Sequence, residues 1–261
     1  MADINVSREG PVLRIQLNRP ERRNALTYDV IDQILDALDS EASDDDCRVV
    51  VLSGEGNGFC AGDDLKGMGN PTGDRWRGRK AGEAVVPQQT LIRTLRSLPR
   101  PVVVSIHGYA LGMGLDMALA CDLRICDEQA ELGDPRSERA LYAATGITYQ
   151  LPRHVGYGRA LGMMFLAERI SGAEAERIGL VYKSVPGDEL DATVEGIVTR
   201  LASAATKSIA VIKEQMAVQM DLDYARAASH SVSVRGSYML EDTAEGITAF
   251  LEKRPPSFTG R

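Results

Sequence analysis

The chain has 261 residues, 44% hydrophobic and 26% charged, with a formal net charge of −7. That length can bury a sizeable core, and the composition is that of an ordinary globular protein. The acidic balance argues against a nucleic-acid binder, which needs a basic face against phosphates, but it leaves room for a local basic pocket for a small phosphorylated ligand.

VLRIQLN (12–18) alternates with period two and predicts a strand. TYDVIDQILDALDSEA predicts an amphipathic helix. Val30, Ile31, Ile34, Leu35 and Leu38 share its apolar face, and Thr27 is the expected N-cap. RVVVLSG (48–54) is a continuous apolar run, a buried strand feeding a loop. Residues 66–87 are rich in Gly and Arg and hold the only tryptophan, Trp76. They read either as a mobile surface loop or as a lid over a ligand. A helical pattern through Leu91, Ile92, Leu95 and Leu98 leads to PRPVVVSI (99–106), another buried strand. GLDMALACD predicts a helix; LRICD and AELG predict strands. Strands alternating with helices imply crossover connections and a largely parallel sheet.

SGAEAERIGL predicts a helix with a capping-box start, Ser171 and Glu174, and a stop at Gly179. VYKSVP predicts a strand, and from Asp188 to Lys253 the pattern is helical almost throughout. The expected division is an α/β core over 1–187 and a helical region over 188–261. That region is long for packing on its own core, so oligomerisation is expected. No regular sequence repeat is visible.

No run of about 18 apolar residues predicts a membrane span. The start, MADINVSREG, lacks the apolar segment of a secretory leader. Cys47, Cys60, Cys121 and Cys126 form no C-x-x-C pair and are expected as buried, reduced thiols of a cytoplasmic protein. His107, His154 and His230 are too scattered to suggest a metal site.

Two glycine-rich stretches carry the chemistry: GNGFCAGDDL (56–65) and HGYALGMGLDMALACD (107–122). Each leaves a strand, turns on glycines and enters an expected helix. Helix N-termini present unpaired N–H groups, and glycine lets a backbone approach a ligand. Two such turns at one end of a parallel sheet can aim two N–H donors at one carbonyl oxygen, the geometry of an oxyanion hole.

FCAGDDL, RPVVVSIHGYALGMGLDMALACDLRI and RISGAEAERIGLV, with LNRPERRNAL near the start and EGITAFLEKRPPSF near the end, resemble the enoyl-CoA hydratase/isomerase superfamily, the crotonases. The resemblance spans nearly the whole chain in five separated motifs. It implies an α/β fold built as a spiral of ββα units, with a C-terminal helical region that builds trimers, commonly stacked as hexamers. It implies an acyl-CoA thioester as ligand, with no cofactor beyond the coenzyme A of the substrate. The thioester carbonyl would lie between the N–H groups of Asp63 and Met113, which would stabilise an enolate. Met113 replaces the usual glycine, keeping the amide donor but narrowing the acyl pocket. Asp63 stands where a small or apolar residue is common. Its side chain is expected to face away, leaving only its amide at work. CoA contacts carry over to Arg23, Ala25, Leu26, Ala61, Asp64, Leu65 and Lys66, and Lys253 is expected to reach a CoA phosphate across a subunit boundary.

Hydration of an enoyl thioester uses one group to activate water and one to deliver a proton to the α-carbon, and two carboxylates do this well. The resemblance puts the first at Asp116, one methylene shorter than the usual Glu. A charge partner of the helix dipole is its alternative reading. The second follows the proline of a G-x-P-E stretch. Here that stretch is GDPR and the residue is Arg136, which stays protonated and cannot be a general base. A further family position, eight residues on, is Ala144. Glu138 could supply a carboxylate only if the backbone shifts, since a two-residue offset changes reach by about 6–7 Å.

Arg136 has three open readings: pairing with Asp116, binding a carboxylate on the substrate, or pointing to solvent with Tyr142 closing the pocket. His107 and Tyr142 are expected to be structural rather than assisting. The implied function is a hydratase-like lyase with an altered acid–base set, slow on straight-chain enoyl-CoA. The alternatives are a decarboxylase, C–C hydrolase or isomerase acting on a carboxylate-bearing acyl-CoA, and a non-catalytic acyl-CoA-binding oligomer.

Overall fold

The computed structural model describes residues 2–42, 44–66, 87–235 and 241–260. Trp76 and nearly all of the 66–87 stretch lie outside them. The described chain opens with a hairpin of β1 (Ile4–Glu9) and β2 (Val12–Leu17). β1 carries little alternation, with four of its residues exposed, which is why the sequence pattern did not reveal it. α1 (Tyr28–Ser40) follows, and the Thr27 side chain accepts from the Val30 N–H as its N-cap.

Next come β3 (Val49–Gly54), α2 (Pro87–Ser97), β4 (Val102–Ile106), the short β5 (Tyr109–Leu111) and α3 (Met113–Ala120). β6 (Leu123–Asp127), β7 (Glu131–Gly133), α4 (Ile147–Val155), α5 (Tyr157–Phe165), β8 (Arg169–Ser171), α6 (Gly172–Arg177) and β9 (Lys183–Val185) complete the core. At α6 the Ser171 hydroxyl accepts from the Glu174 N–H and Gly179 takes φ +82°, as the cap pattern predicted. The Glu174 carboxylate does not close the box; it forms a two-point pair with Arg177 instead.

The six-stranded sheet runs β1-β2-β3-β4-β6-β9, parallel from β2 onward with β1 antiparallel at the edge. A smaller sheet runs β5-β7-β8. Isolated parallel bridges join Cys60 to Ala110 and Leu26 to Asp63. Each turn of chain thus places one long strand in the large sheet and one short extended stretch in or beside the small one, then adds a helix. The pairs β4–β5 with α3 and β6–β7 with α4 show this most clearly, and they make the ββα spiral the sequence resemblance implied. The repeat lies in geometry and not in residue identity, so no sequence period marks it.

The large sheet is covered on both faces. Val50, Leu52, Val102 and Val104 face the main core with α1, α2 and α3, while Val49, Val51, Val103 and Ile125 pack on Leu190, Val194 and Val198. Those three residues belong to α7 (Leu190–Ala202), the first helix of the C-terminal region. Double coverage is why β3 and β4 read as continuous apolar runs. Beyond α7, α8 (Thr206–Gln219), α9 (Tyr224–Arg235) and α10 (Glu241–Glu252) bury little and leave Met216, Met220, Tyr224, Phe250 and Leu251 exposed. Among the described residues no helix is long and apolar enough to cross a membrane, and all four cysteines are buried and free.

Candidate active site

The two glycine-rich turns lie side by side at one end of the large sheet. Cys60 N–H donates to Tyr109 O (3.1 Å) and Leu111 N–H donates to Cys60 O (3.0 Å), zipping the loop after β3 to β5. The approach depends on glycine. A Cβ at Gly62, where φ is +103°, would stand 2.9 Å from Leu111 O and 3.3 Å from Met113 N; one at Gly114 would stand 2.4 Å from Cys60 O.

Asp63 lies between the two residues that bond Leu26: Leu26 N–H donates to Gly62 O and Asp64 N–H to Leu26 O, each at 2.8 Å. In such a parallel bridge the intervening residue turns its own N–H the other way, here toward the α3 turn. Met113 is the first residue of α3, where the helix leaves N–H groups without intrahelical partners. Asp63 and Met113 therefore lie on adjoining turns, with Gly62 packed directly against the Met113 nitrogen.

Asp116 sits one turn into α3 and is fully buried. The Arg136 guanidinium meets it as a fork, with Nη1 2.9 Å from Oδ2 and Nη2 2.8 Å from Oδ1. The same guanidinium holds buried Asp134 through Nε at 2.6 Å and Nη2 at 3.0 Å. The Thr145 hydroxyl donates to Asp116 Oδ2. Burial pushes the Asp116 carboxyl up from its ordinary range, with Arg136 opposing.

Of the three readings of Arg136, the structure adopts the pairing with Asp116. All three of its nitrogens bind carboxylates, through four hydrogen bonds, so the two-point fork that a substrate carboxylate would need is already engaged. Asp134 and Thr145 were missed by the sequence reading. Asp134 adjoins Arg136 in GDPR and could have been found as its nearest acid; Thr145 carried no signal.

The Asp63 side chain packs against the start of α2. It is half-buried, and Gln88 Nε2 in the first turn of α2 donates to its Oδ1 (3.2 Å). Burial raises its carboxyl, and the Arg136 charge is close enough to act in the opposite sense. Neighbouring Gln89 donates to Ala144 O (2.6 Å), tying α2 to the segment that holds Thr145.

Glu138 is drawn outward, between Arg139 (3.4 Å) and Arg169 (3.8 Å), and Tyr142 is 85% exposed. The structure does not bring either onto the Asp116–Arg136 pair. His107 Nε2 bonds Gly56 O at 2.8 Å, a structural contact.

The residues expected at coenzyme A cluster around the Leu26 bridge. Ala61 N–H donates to Arg23 O (3.1 Å), and the Arg23 guanidinium lies 4.3 Å from the Tyr109 ring centroid. Ala25 adjoins buried Leu26, Asp64 pairs with Arg19 (3.1 Å), and Leu65 and Lys66 are exposed beside them. Lys253 stands apart, at the end of α10 with φ +55°.

Residues 7–261 match the family model described as Enoyl-CoA hydratase/isomerase. The chain is 33% identical to the 1,2-epoxyphenylacetyl-CoA isomerase of Escherichia coli, covering 97% of each. It is 32% identical to the crotonyl-CoA hydratase of Syntrophomonas wolfei, covering 99% of this chain and 98% of that one. The crystal structure of an enoyl-CoA hydratase from Bacillus anthracis superposes with a TM-score of 0.88 at 32% identity over the full length of both chains.

Proposed function

The chain belongs to the enoyl-CoA hydratase/isomerase family, and on that premise we propose that it holds an acyl-CoA thioester carbonyl between the Asp63 and Met113 amides and runs enolate chemistry with an altered acid–base set. Donors fixed before reaction, aimed where negative charge develops, are a major source of rate in such sites. The observation that carries the proposal is the buried fork of Arg136 on Asp116. A cation occupies the place where a second carboxylate would flank a water, so hydratase-like lyase activity on straight-chain enoyl-CoA is slow. Asp116 remains the acid–base group at this position, its carboxyl raised by burial and held down by the Arg136 fork.

Isomerisation is the second reading. It needs a proton removed from one carbon and returned to another of the same enolate, which suits a buried carboxyl of raised pKa better than it suits water activation. Incubation with crotonyl-CoA and with branched, cyclic and dicarboxylic acyl-CoAs, followed by mass spectrometry, separates these. Slow crotonyl-CoA hydration beside faster turnover of another thioester supports the proposal. Rapid crotonyl-CoA hydration that survives Asp116→Asn contradicts it. Tight thioester binding with no turnover of any member of the panel favours a non-catalytic binder. The exposed apolar residues of α8 to α10 support assembly as a homotrimer or a dimer of trimers.

A further inference from the structure

We propose that the Asp63 carboxyl is a catalytic residue, the proton-transfer group at the α-carbon of the bound thioester, supplying the acid–base function that Arg136 cannot. This rests on the reading that the Asp63 and Met113 amides hold the thioester carbonyl. Three observations carry it.

First, the Asp63 carboxyl lies on the turn that carries its N–H and within reach of the Arg136 charge at the centre of the site. If its N–H binds the carbonyl oxygen, its carboxyl stands one residue's width from the α-carbon, which is bonded directly to the carbonyl carbon. Second, the carboxyl is held. Gln88 fixes Oδ1 from the start of α2, and among the described residues Oδ2 has no hydrogen-bond partner. Third, the other carboxyl of the site is encumbered. Both oxygens of Asp116 are engaged, by Arg136 and Thr145, whereas Asp63 is engaged on one side only. Burial also moves the Asp63 carboxyl toward the range where an acid–base group works at neutral pH.

In the step proposed, an Asp63 carboxylate oxygen takes the α-proton. The α C–H bond breaks, its electron pair forms the C=C bond of the enolate, and the carbonyl π pair moves onto oxygen between the two amides. Asp63 is left protonated. Returning that proton to the α-carbon restores the thioester, and returning it instead to the γ-carbon of an unsaturated acyl group gives an isomer. No oxidant or further reactant is needed.

The test is exchange of the α-protons of butyryl-CoA with D2O, read by mass spectrometry, beside calorimetric titration with the same thioester. Wild-type protein is expected to bind and exchange. Asp63→Asn, which keeps the amide and nearly the same shape, should bind within about twofold of wild type but exchange 10²–10⁴-fold more slowly, the order typical of a lost acid–base group. Asp63→Ala should regain exchange when formate is added, which a purely structural role would not allow, and it serves also if the Asn variant does not fold. Undiminished exchange in Asp63→Asn, or Asp63→Ala that formate leaves unchanged, overturns the proposal alone. Wild type that binds without exchanging overturns it together with the enolate reading beneath it.

Discussion

Arg136 and Asp116 form a closed two-point pair in the interior: Nη1 to Oδ2 at 2.9 Å and Nη2 to Oδ1 at 2.8 Å, with the Arg136 side chain 11% exposed and that of Asp116 at 0%. Asp134 completes the cluster, so one cation serves two buried carboxylates. Removing a buried partner strands the charge it neutralised, and that costs more than the pair itself contributes.

Arg136→Met should therefore destabilise the fold by about 3–5 kcal/mol, since it leaves both carboxyls without their cation. Urea denaturation monitored by circular dichroism measures this. Arg136→Lys should recover only part of the loss, because a point charge cannot reproduce the fork. A loss under about 1 kcal/mol for Arg136→Met would place the pair in the class of exposed ion pairs, against its burial.

Gly114→Ala tests the placing of the amides. Its Cβ would meet Cys60 O at 2.4 Å, a backbone atom that can move only with the whole 56–65 turn. The substitution should cost about 1–3 kcal/mol of stability. Displacing an oxyanion donor should lower kcat by about 10²–10³-fold. Unchanged kcat in a folded Gly114→Ala protein would show that the two turns need not touch for catalysis.

Stability should fall with acid partly through His154. Burial, with Arg124 and Arg96 nearby, lowers its imidazole from an ordinary 6.5 to about 4. Between those values the unfolded chain binds a proton that the fold does not. The contribution is thus present above pH 6.5 and lost as pH falls through about 4, with a slope of at most about 1.4 kcal/mol per pH unit. His154→Gln should flatten this part of the profile in urea titrations at pH 4 to 7. An equal slope in the variant would assign the acid sensitivity to other groups.

Much of this is legible in the sequence. The strands β2, β3, β4 and β6 announced themselves through β-branched runs, and Thr27 and Ser171 through their capping positions, because those signals are local. The meeting of the two glycine-rich turns was expected from the glycine pattern, and the resemblance pointed to Asp63 and Met113. What stayed hidden was non-local. β5 and β8 have three residues each and pair with β7, so no period marks them. The choice among the three readings of Arg136 depended on Asp116, twenty residues earlier, and on Thr145, nine residues later. The partner of the Asp63 side chain was equally non-local. Gln88, across the segment from the end of the loop to α2, holds it inside.

The exposed apolar residues of the last helices predict assembly. Sedimentation of wild type should give three or six chains per particle. Phe250→Asp with Leu251→Asp, both at positions more than 70% exposed in the single chain, should shift it toward smaller species. A wild-type monomer would contradict this.

The most direct measurement of the central claim is a crystal structure with butyryl-CoA bound. The account places the thioester oxygen about 2.7–3.1 Å from both the Asp63 and Met113 nitrogens, with Arg136 still forked on Asp116. A thioester carbonyl lodged away from those two amides, or an Arg136 released from Asp116 to bind the acyl group, would contradict it.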